Sequence, residues 1–256
     1  MEYNPHKIKF IHLAETDSTN SYARREASHL WAENPDCEAL VVTAEEQSAG
    51  RGQRGTVWQS SKGKNLLMTI VVRPKELAIE SCYALSVATA LALKESMQTY
   101  GLPTTLKWPN DLYCNNCKLA GILLESDFGG ANVTQAFIGI GLNINQSDFY
   151  KMERRPTSMS LLCDREFNIE EVMHTIVNKF IEKYSKIANG ELAQLFEEYE
   201  KSLMGYHEPL LYRDAAGEFT AGIKGVERDG RIVLECSDGT TRSYWFKEVE
   251  NVTLGY

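Results

Sequence analysis

Three polar segments of this 256-residue chain carry residue types suited to work on an anion. The first is Gly50-Arg51-Gly52-Gln53-Arg54-Gly55. Glycines let backbone N–H groups approach a phosphate or carboxylate, and arginine holds either through two parallel hydrogen bonds. The spacing also satisfies G-x-G-x-x-G, but a dinucleotide-binding fold needs a strand entering the first glycine directly and a helix opening at the last. Residues 44–49 intervene here, and 56–65 lack a helical pattern. No Gly-Lys-Ser/Thr follows, which excludes a P-loop. A solvated turn is the competing reading. The second segment runs from Lys107-Trp108-Pro109-Asn110-Asp111-Leu112-Tyr113 through a turn to Lys118-Leu119-Ala120-Gly121-Ile122-Leu123-Leu124-Glu125. It brings a carboxylate and a cation near one small site, or else forms a surface ion pair worth about 0–1 kcal/mol. The third, Ile138-Gly139-Ile140-Gly141-Leu142-Asn143-Ile144-Asn145, offers close backbone approach and amide donors, or a sheet edge with packed glycines.

The elements that must position these segments follow from periodicity. Strands are expected at 8–13, 40–43, 65–72, 105–108, 118–125 and 133–144, with a tight turn at Asn115-Asn116 between the fourth and fifth. Asp17-Ser18-Thr19-Asn20 supplies cap residues for a helix over 22–31. Residues 81–100 read as an Ala- and Leu-rich helix closed by Gly101 and Pro103. Asn168 and Glu171 resemble a capping box opening a helix to about 188, and 191–203 is a second helix. Residues 45–64 form a long polar loop, and loops of that length are usually functional. After Gly205 the pattern changes. Asp229-Gly230 and Asp238-Gly239 sit between β-branched and aromatic runs, as hairpin turns do. The expected organisation is a mixed α/β body over 1–205 and a small all-β unit over 206–256.

Composition narrows the function. Lys+Arg number 27 against 35 Asp+Glu, a net charge of −8. The last fifty residues hold nine acidic residues and six basic ones, so neither part has the net basic balance of a general nucleic-acid binder, and only a local basic patch stays open. No apolar run is long enough to span a membrane, and the first residues lack a signal-peptide pattern. Six cysteines are too few for a disulfide scaffold, and a reducing cytoplasm is expected. Cys114-Asn115-Asn116-Cys117 has the form C-x-x-C, but a structural zinc site wants four ligands and no second pair occurs. The two cysteines are read as incidental.

Taken in this order and spacing, the segments resemble the biotin–protein ligase family, also called biotin–[acetyl-CoA-carboxylase] ligases. The resemblance begins at Asp17-Ser18-Thr19-Asn20. It continues through Gln47, Gly50 to Gly55, Trp58, Lys107 to Asp111, Lys118 to Glu125 and Gly139 to Asn143, and ends at Gly222-Ile223-Lys224-Gly225-Val226. It implies an α+β fold: a mixed sheet with flanking helices, like class II aminoacyl-tRNA synthetases and biotin synthetases, followed by a small SH3-like β-barrel. The expected type is the short one, without an N-terminal DNA-binding module. The implied reaction joins biotin's carboxylate to the α-phosphate of ATP, giving biotinyl-5′-AMP, and then transfers biotin to a lysine of a biotin carboxyl carrier protein. ATP, biotin and Mg²⁺ are the implied small molecules; monomer and weak homodimer stay open.

The resemblance also implies roles. Ser18, Thr19, Asn20 and Gln47 go to the biotin head, with Gly121 beside them. Arg51, Gly52 and Gln53 line carboxylate and phosphate. Lys118, Arg51 and Asp111 form the catalytic group; Arg54, Gly55, Trp58, Asn110, Asp111 and Asn143 go to the nucleotide. Asp111 is left between orienting the incoming amine and helping to hold Mg²⁺. Gln53 stands where many relatives carry arginine, which implies weaker retention of the adenylate unless Arg54 turns inward to supply the charge. Two rivals remain: a lipoate or octanoate ligase, whose Arg-Arg-x-x-Gly-Gly-Gly stretch is missing here, and a non-catalytic biotin sensor.

Overall fold

The computed structural model describes residues 7–149 and 155–253; the side chain of Arg54 lies outside what it describes. Strand β1 (Ile8–Thr16) crosses through α1 (Thr19–Glu33) to β2 (Ala39–Gln47), its parallel neighbour. Then come β3 (Leu66–Val72), α2 (Ala84–Thr99), β4 (Thr105–Lys107), β5 (Asp111–Cys114), β6 (Cys117–Gly129) and β7 (Asn132–Leu142). Helices α3 (Met159–Cys163), α4 (Ile169–Ala188) and α5 (Leu192–Glu200) precede β8 (Leu210–Asp214), β9 (Gly217–Val226), β10 (Ile232–Cys236), β11 (Thr241–Tyr244) and β12 (Glu250–Asn251). The first sheet has the order β1-β2-β3-β7-β6-β5-β4, antiparallel apart from β1–β2. The second, β11-β10-β9-β8-β12, is antiparallel and matches the small C-terminal β module expected of the α+β fold.

Strand β3 shows why the first sheet is central. All seven residues of Leu-Leu-Met-Thr-Ile-Val-Val are buried, as in a strand covered on both faces. Leu66, Met68, Ile70 and Val72 point to the main core with α2 and α4. Val71 points the other way, joining Ala23, Ala27, Leu30 and Trp31 of α1. Side chains alternate along strands, so Leu67 and Thr69 share the α1 face. That face carries the candidate site.

Several expectations shift. The Asn115-Asn116 turn joins β5 to β6, with both residues at positive φ, so a strand not foreseen from sequence separates β4 from it. Four residues, starting two places after Pro109, are too short for a period-2 signal. The five-residue α3 escaped for the same reason. Asn168 caps α4 by accepting from Glu170 N and Glu171 N at 2.9 and 3.2 Å. Both Asp-Gly pairs sit at hairpin turns, β9–β10 and β10–β11, with their glycines at positive φ.

Candidate active site

Three glycines open a cleft of about 570 Å³ on the α1 face of the sheet. Register sets them in rows: Leu67 opposite Gly141 opposite Gly121, and Thr69 opposite Gly139 opposite Leu123. A Cβ on Gly141 would meet the Trp58 ring at 2.4 Å, and one on Gly139 would meet Asn20 Oδ1 at 2.6 Å. The missing side chains are therefore the space that these two residues occupy. What sequence leaves open as a packed sheet edge is the floor of a cleft.

One end of the cleft is a hydrogen-bond chain. Ser18 caps α1 by position but makes no capping side-chain hydrogen bond. Gln47 Oε1 does that work instead, accepting from Thr19 N at 2.7 Å and Thr19 Oγ1 at 3.1 Å. Thr69 Oγ1 lies 2.8 Å from Thr19 Oγ1 and donates to Asn20 Oδ1 at 2.6 Å. Asn20 Nδ2 donates to Glu125 Oε2 at 2.9 Å, and the same oxygen accepts from Arg51 at 2.8 Å. Just outside, Arg25 hydrogen-bonds Asp17 at 2.8 Å and lowers that carboxyl to about 2.

At the other end Lys118 Nζ lies 2.7 Å from Asp111 Oδ1, with Asp111 buried and Lys118 mostly so. A β-bulge makes the pair. Tyr113 faces Lys118 but Leu112 faces Ala120, so Leu119 is an extra residue in β6. Residues three apart on a regular strand point to opposite faces; the extra residue brings Lys118 and Gly121 onto one face, opposite Asp111. The Lys118 backbone is held by Arg155 O at 2.8 Å and Thr157 N at 2.9 Å. Lys118 is thus no solvated hairpin lysine, and removing it would strand a buried carboxylate. Its ammonium sits 5.7 Å above the Trp58 ring, whose Nε1 is buried without a hydrogen-bond partner among the described residues. Asn110 Nδ2 donates to Ile122 O at 2.7 Å and Asn143 Nδ2 to Thr157 O at 3.0 Å, so both amides are partly committed to the scaffold.

The 45–64 stretch is more ordered than a loop reading suggests. Strand β2 runs to Gln47, and Gly50 to Trp58 folds back through Gly52 N to Thr56 O at 2.7 Å and Trp58 N to Gly50 O at 3.0 Å. Gly52 and Gln53 line the cleft; Gly55, at φ +84°, is exposed at the tip of a single helical turn. Arg54 shares that turn, its side chain outside the described residues. Sequence reasoning missed Thr69, Phe246 and Lys247, which approach from two distant parts of the chain, and gave Glu125 no role. The one signal for Glu125 was a charge closing an apolar strand. Phe246 and Lys247 reach the rim from the second sheet, Lys247 at φ +73°. Among the described residues no three His, Cys, Asp or Glu converge as a metal cluster. Cys114 is buried, donates to Pro103 O at 3.3 Å, and has its thiol pushed up by burial. No helix among them is long and apolar enough to cross a membrane.

Comparison with known proteins gives the family and the fold. Residues 14–143 match the family described as Biotin/lipoate A/B protein ligase family. The Bifunctional ligase/repressor BirA of Bacillus subtilis is 28% identical over 237 residues, spanning 91% of this chain and 72% of that protein. The biotin–[acetyl-CoA-carboxylase] ligase of Paracoccus denitrificans is 31% identical over 229 residues, spanning 87% and 92%. The solved structure of the biotin protein ligase from Aquifex aeolicus in complex with biotin and ATP superposes with a TM-score of 0.74 at 21% identity, covering 95% of this chain and 99% of that one.

Proposed function

The chain belongs to the biotin/lipoate A/B protein ligase family, and from that premise we propose that it is a biotin–protein ligase, activating biotin with ATP and passing it to a lysine of a carrier protein. The observation that carries the reading is the cleft itself: a directional hydrogen-bond chain of Gln47, Thr19, Thr69 and Asn20, closed by the Glu125–Arg51 pair, at one end and a buried Lys–Asp pair at the other, on one glycine floor. A bicyclic urea with a carboxylate tail asks for that division.

Each residue then has a task. Ser18, whose hydroxyl does not cap α1, faces the ureido ring with Thr19, Asn20 and Gln47; with Gln47 Oε1 engaged by Thr19, Nε2 is its donor end. Gly121 leaves room for the tail. In the first half-reaction a carboxylate oxygen of biotin attacks the α-phosphorus, the bond to the β-phosphate breaks, and pyrophosphate leaves. Two anions must meet, so fixed cations lower the barrier. Lys118 sits between them, and Arg51, Gly52 and Gln53 close over the carboxylate and phosphate. Trp58 offers a flat face to adenine; Asn110, Asn143, Arg54 and Gly55 complete the nucleotide side. In the second half-reaction the acceptor amine attacks the acyl carbon, the bond to AMP breaks, and an amide forms. Asp111 orients that amine.

Mg²⁺ bound with nucleotide is held mainly by phosphate oxygens and waters, with one or two carboxylates. Asp111, whose carboxylate lines the cleft beside Lys118, fits that part, and the metal would supply charge neutralisation. In this reading 1–205 carry the chemistry and 206–256 complete its rim; the acceptor is a biotin carboxyl carrier domain and the setting cytoplasmic. Pyrophosphate release with ATP, Mg²⁺ and biotin, but not with lipoate or octanoate, is the expected result. Release with lipoate or octanoate in place of biotin, or with none of the three, overturns the proposal.

A further inference from the structure

Two tyrosines outside the cleft hold the turn that delivers Asn110 and Asp111. Tyr83 precedes α2 and Tyr199 lies in α5, yet their hydroxyls are 2.8 Å apart. Tyr83 Oη lies 2.6 Å from the Pro109 carbonyl oxygen, and Tyr199 Oη lies 3.3 Å from it. Each phenol has one proton. The shorter contact assigns the Tyr83 proton to Pro109, and Tyr199 then donates to Tyr83 Oη, so that each bond polarises the next. Burial pushes both phenols well up, and the Asp111 charge adds to it at Tyr199, so both remain donors across the physiological range.

The Pro109 carbonyl shares a rigid plane with the Asn110 N–H. Holding that oxygen therefore sets the direction in which Asn110 leaves the turn. Asn110 then locks onto β6: Ile122 N donates to its carbonyl at 2.9 Å and its Nδ2 returns to Ile122 O at 2.7 Å. The next residue is Asp111, paired with Lys118. The second sheet braces the same point, since Trp108 Nε1 donates to Gly230 O at 2.9 Å and a Cβ on Gly230 would lie 2.8 Å from the Tyr83 ring.

We propose that the Tyr83–Tyr199 hydroxyl pair is a positioning device for Asp111, holding the Pro109 carbonyl so that the carboxylate meets Lys118 in the cleft. The inference rests on the ligase reading but has a readout of its own. The variants are Tyr83→Phe, Tyr199→Phe and the double, which keep the rings and remove the hydroxyls. The double variant is expected to form biotinyl-AMP between about five- and a hundredfold more slowly, with biotin affinity unchanged within about twofold. Tyr83→Phe costs more than Tyr199→Phe. In an Asp111→Asn background the double change adds no further loss, because the group it positions is gone. A merely structural role predicts the same loss in both backgrounds and weaker biotin binding. Hydrogen exchange of the Ile122 amide, whose acceptor is Asn110 O, rises selectively against the rest of β6. Unchanged rates, additive losses, or unchanged Ile122 exchange overturn the proposal. An inactive parent protein overturns the ligase reading instead, and the exchange result then decides this one alone.

Discussion

Gly139→Ala tests whether the cleft floor sets the biotin end. The new Cβ would stand 2.6 Å from Asn20 Oδ1 and 3.1 Å from Asn20 Cγ. Asn20 Oδ1 must retreat by about 0.8 Å to restore ordinary contact. It has little room to do so, being buried and bonded to Thr69 at 2.6 Å and Glu125 at 2.9 Å. Overpacking of this kind costs typically about 1–3 kcal/mol, and a strained bond to a charged acceptor falls in the same range. We expect a net destabilisation of about 2 kcal/mol, or roughly 4–8 °C in Tm. Glu125 also holds Arg51, so the disturbance spreads to the loop. Calorimetric titration should show biotin affinity down by about tenfold or more, with ATP affinity within about threefold. Gly141→Ala is the contrast, because its Cβ would meet Trp58, 2.4 Å away, and should weaken nucleotide binding more than biotin binding. Equal losses from both variants for both ligands would refute the division of the cleft into two ends.

Three further expectations follow from particular contacts. Lys118→Ala should abolish single-turnover biotinyl-AMP formation and also lower stability by about 1–3 kcal/mol, since a buried Asp111 loses its cation; parent-like yield would remove Lys118 from the chemistry. Gln53→Arg should slow stopped-flow release of biotinyl-AMP by more than about twofold, an added charge making a stronger hydrogen bond to phosphate; equal rates would mean that Arg54 already supplies the charge or that position 53 does not touch the phosphate, and repeating the comparison with Arg54→Ala tells the two apart. The folded pKa of Asp17, about 2, lies below its unfolded value, so its contribution is complete above about pH 4 and disappears as pH falls through about 2. The pair with Arg25 is half-exposed, so Asp17→Asn should flatten acid unfolding in that window by less than about 1 kcal/mol, and a larger effect would contradict the screening.

How far the sequence carries depends on the range of each signal. Helix α4 is long and strongly amphipathic, so it follows from its period, while β3 is an unbroken apolar run bounded by polar residues, which is how a strand covered on both faces reads. The Lys118–Asp111 pair was half visible: the residue types and the hairpin were legible, but the bulge at Leu119 that aims them together leaves no mark in composition. Ser18 shows the opposite case. Its type and position read as a helix cap, yet Gln47, at the end of the parallel neighbour strand and 28 residues beyond Thr19, takes the Thr19 N–H. Thr69, Phe246 and Lys247 could not be read at all, because only sheet order and the packing of the second sheet bring them to the cleft. The glycines at 139 and 141 were conspicuous from the start, but whether they meant an edge or a floor depended on what lay above them.

The most direct test of the central claim is the mass of a biotin carboxyl carrier domain after incubation with this protein, ATP, Mg²⁺ and biotin. The account predicts a gain of one biotinyl group on one lysine, lost when ATP is omitted or when Lys118→Ala replaces the parent. A carrier whose mass stays unchanged while biotinyl-AMP accumulates would contradict it.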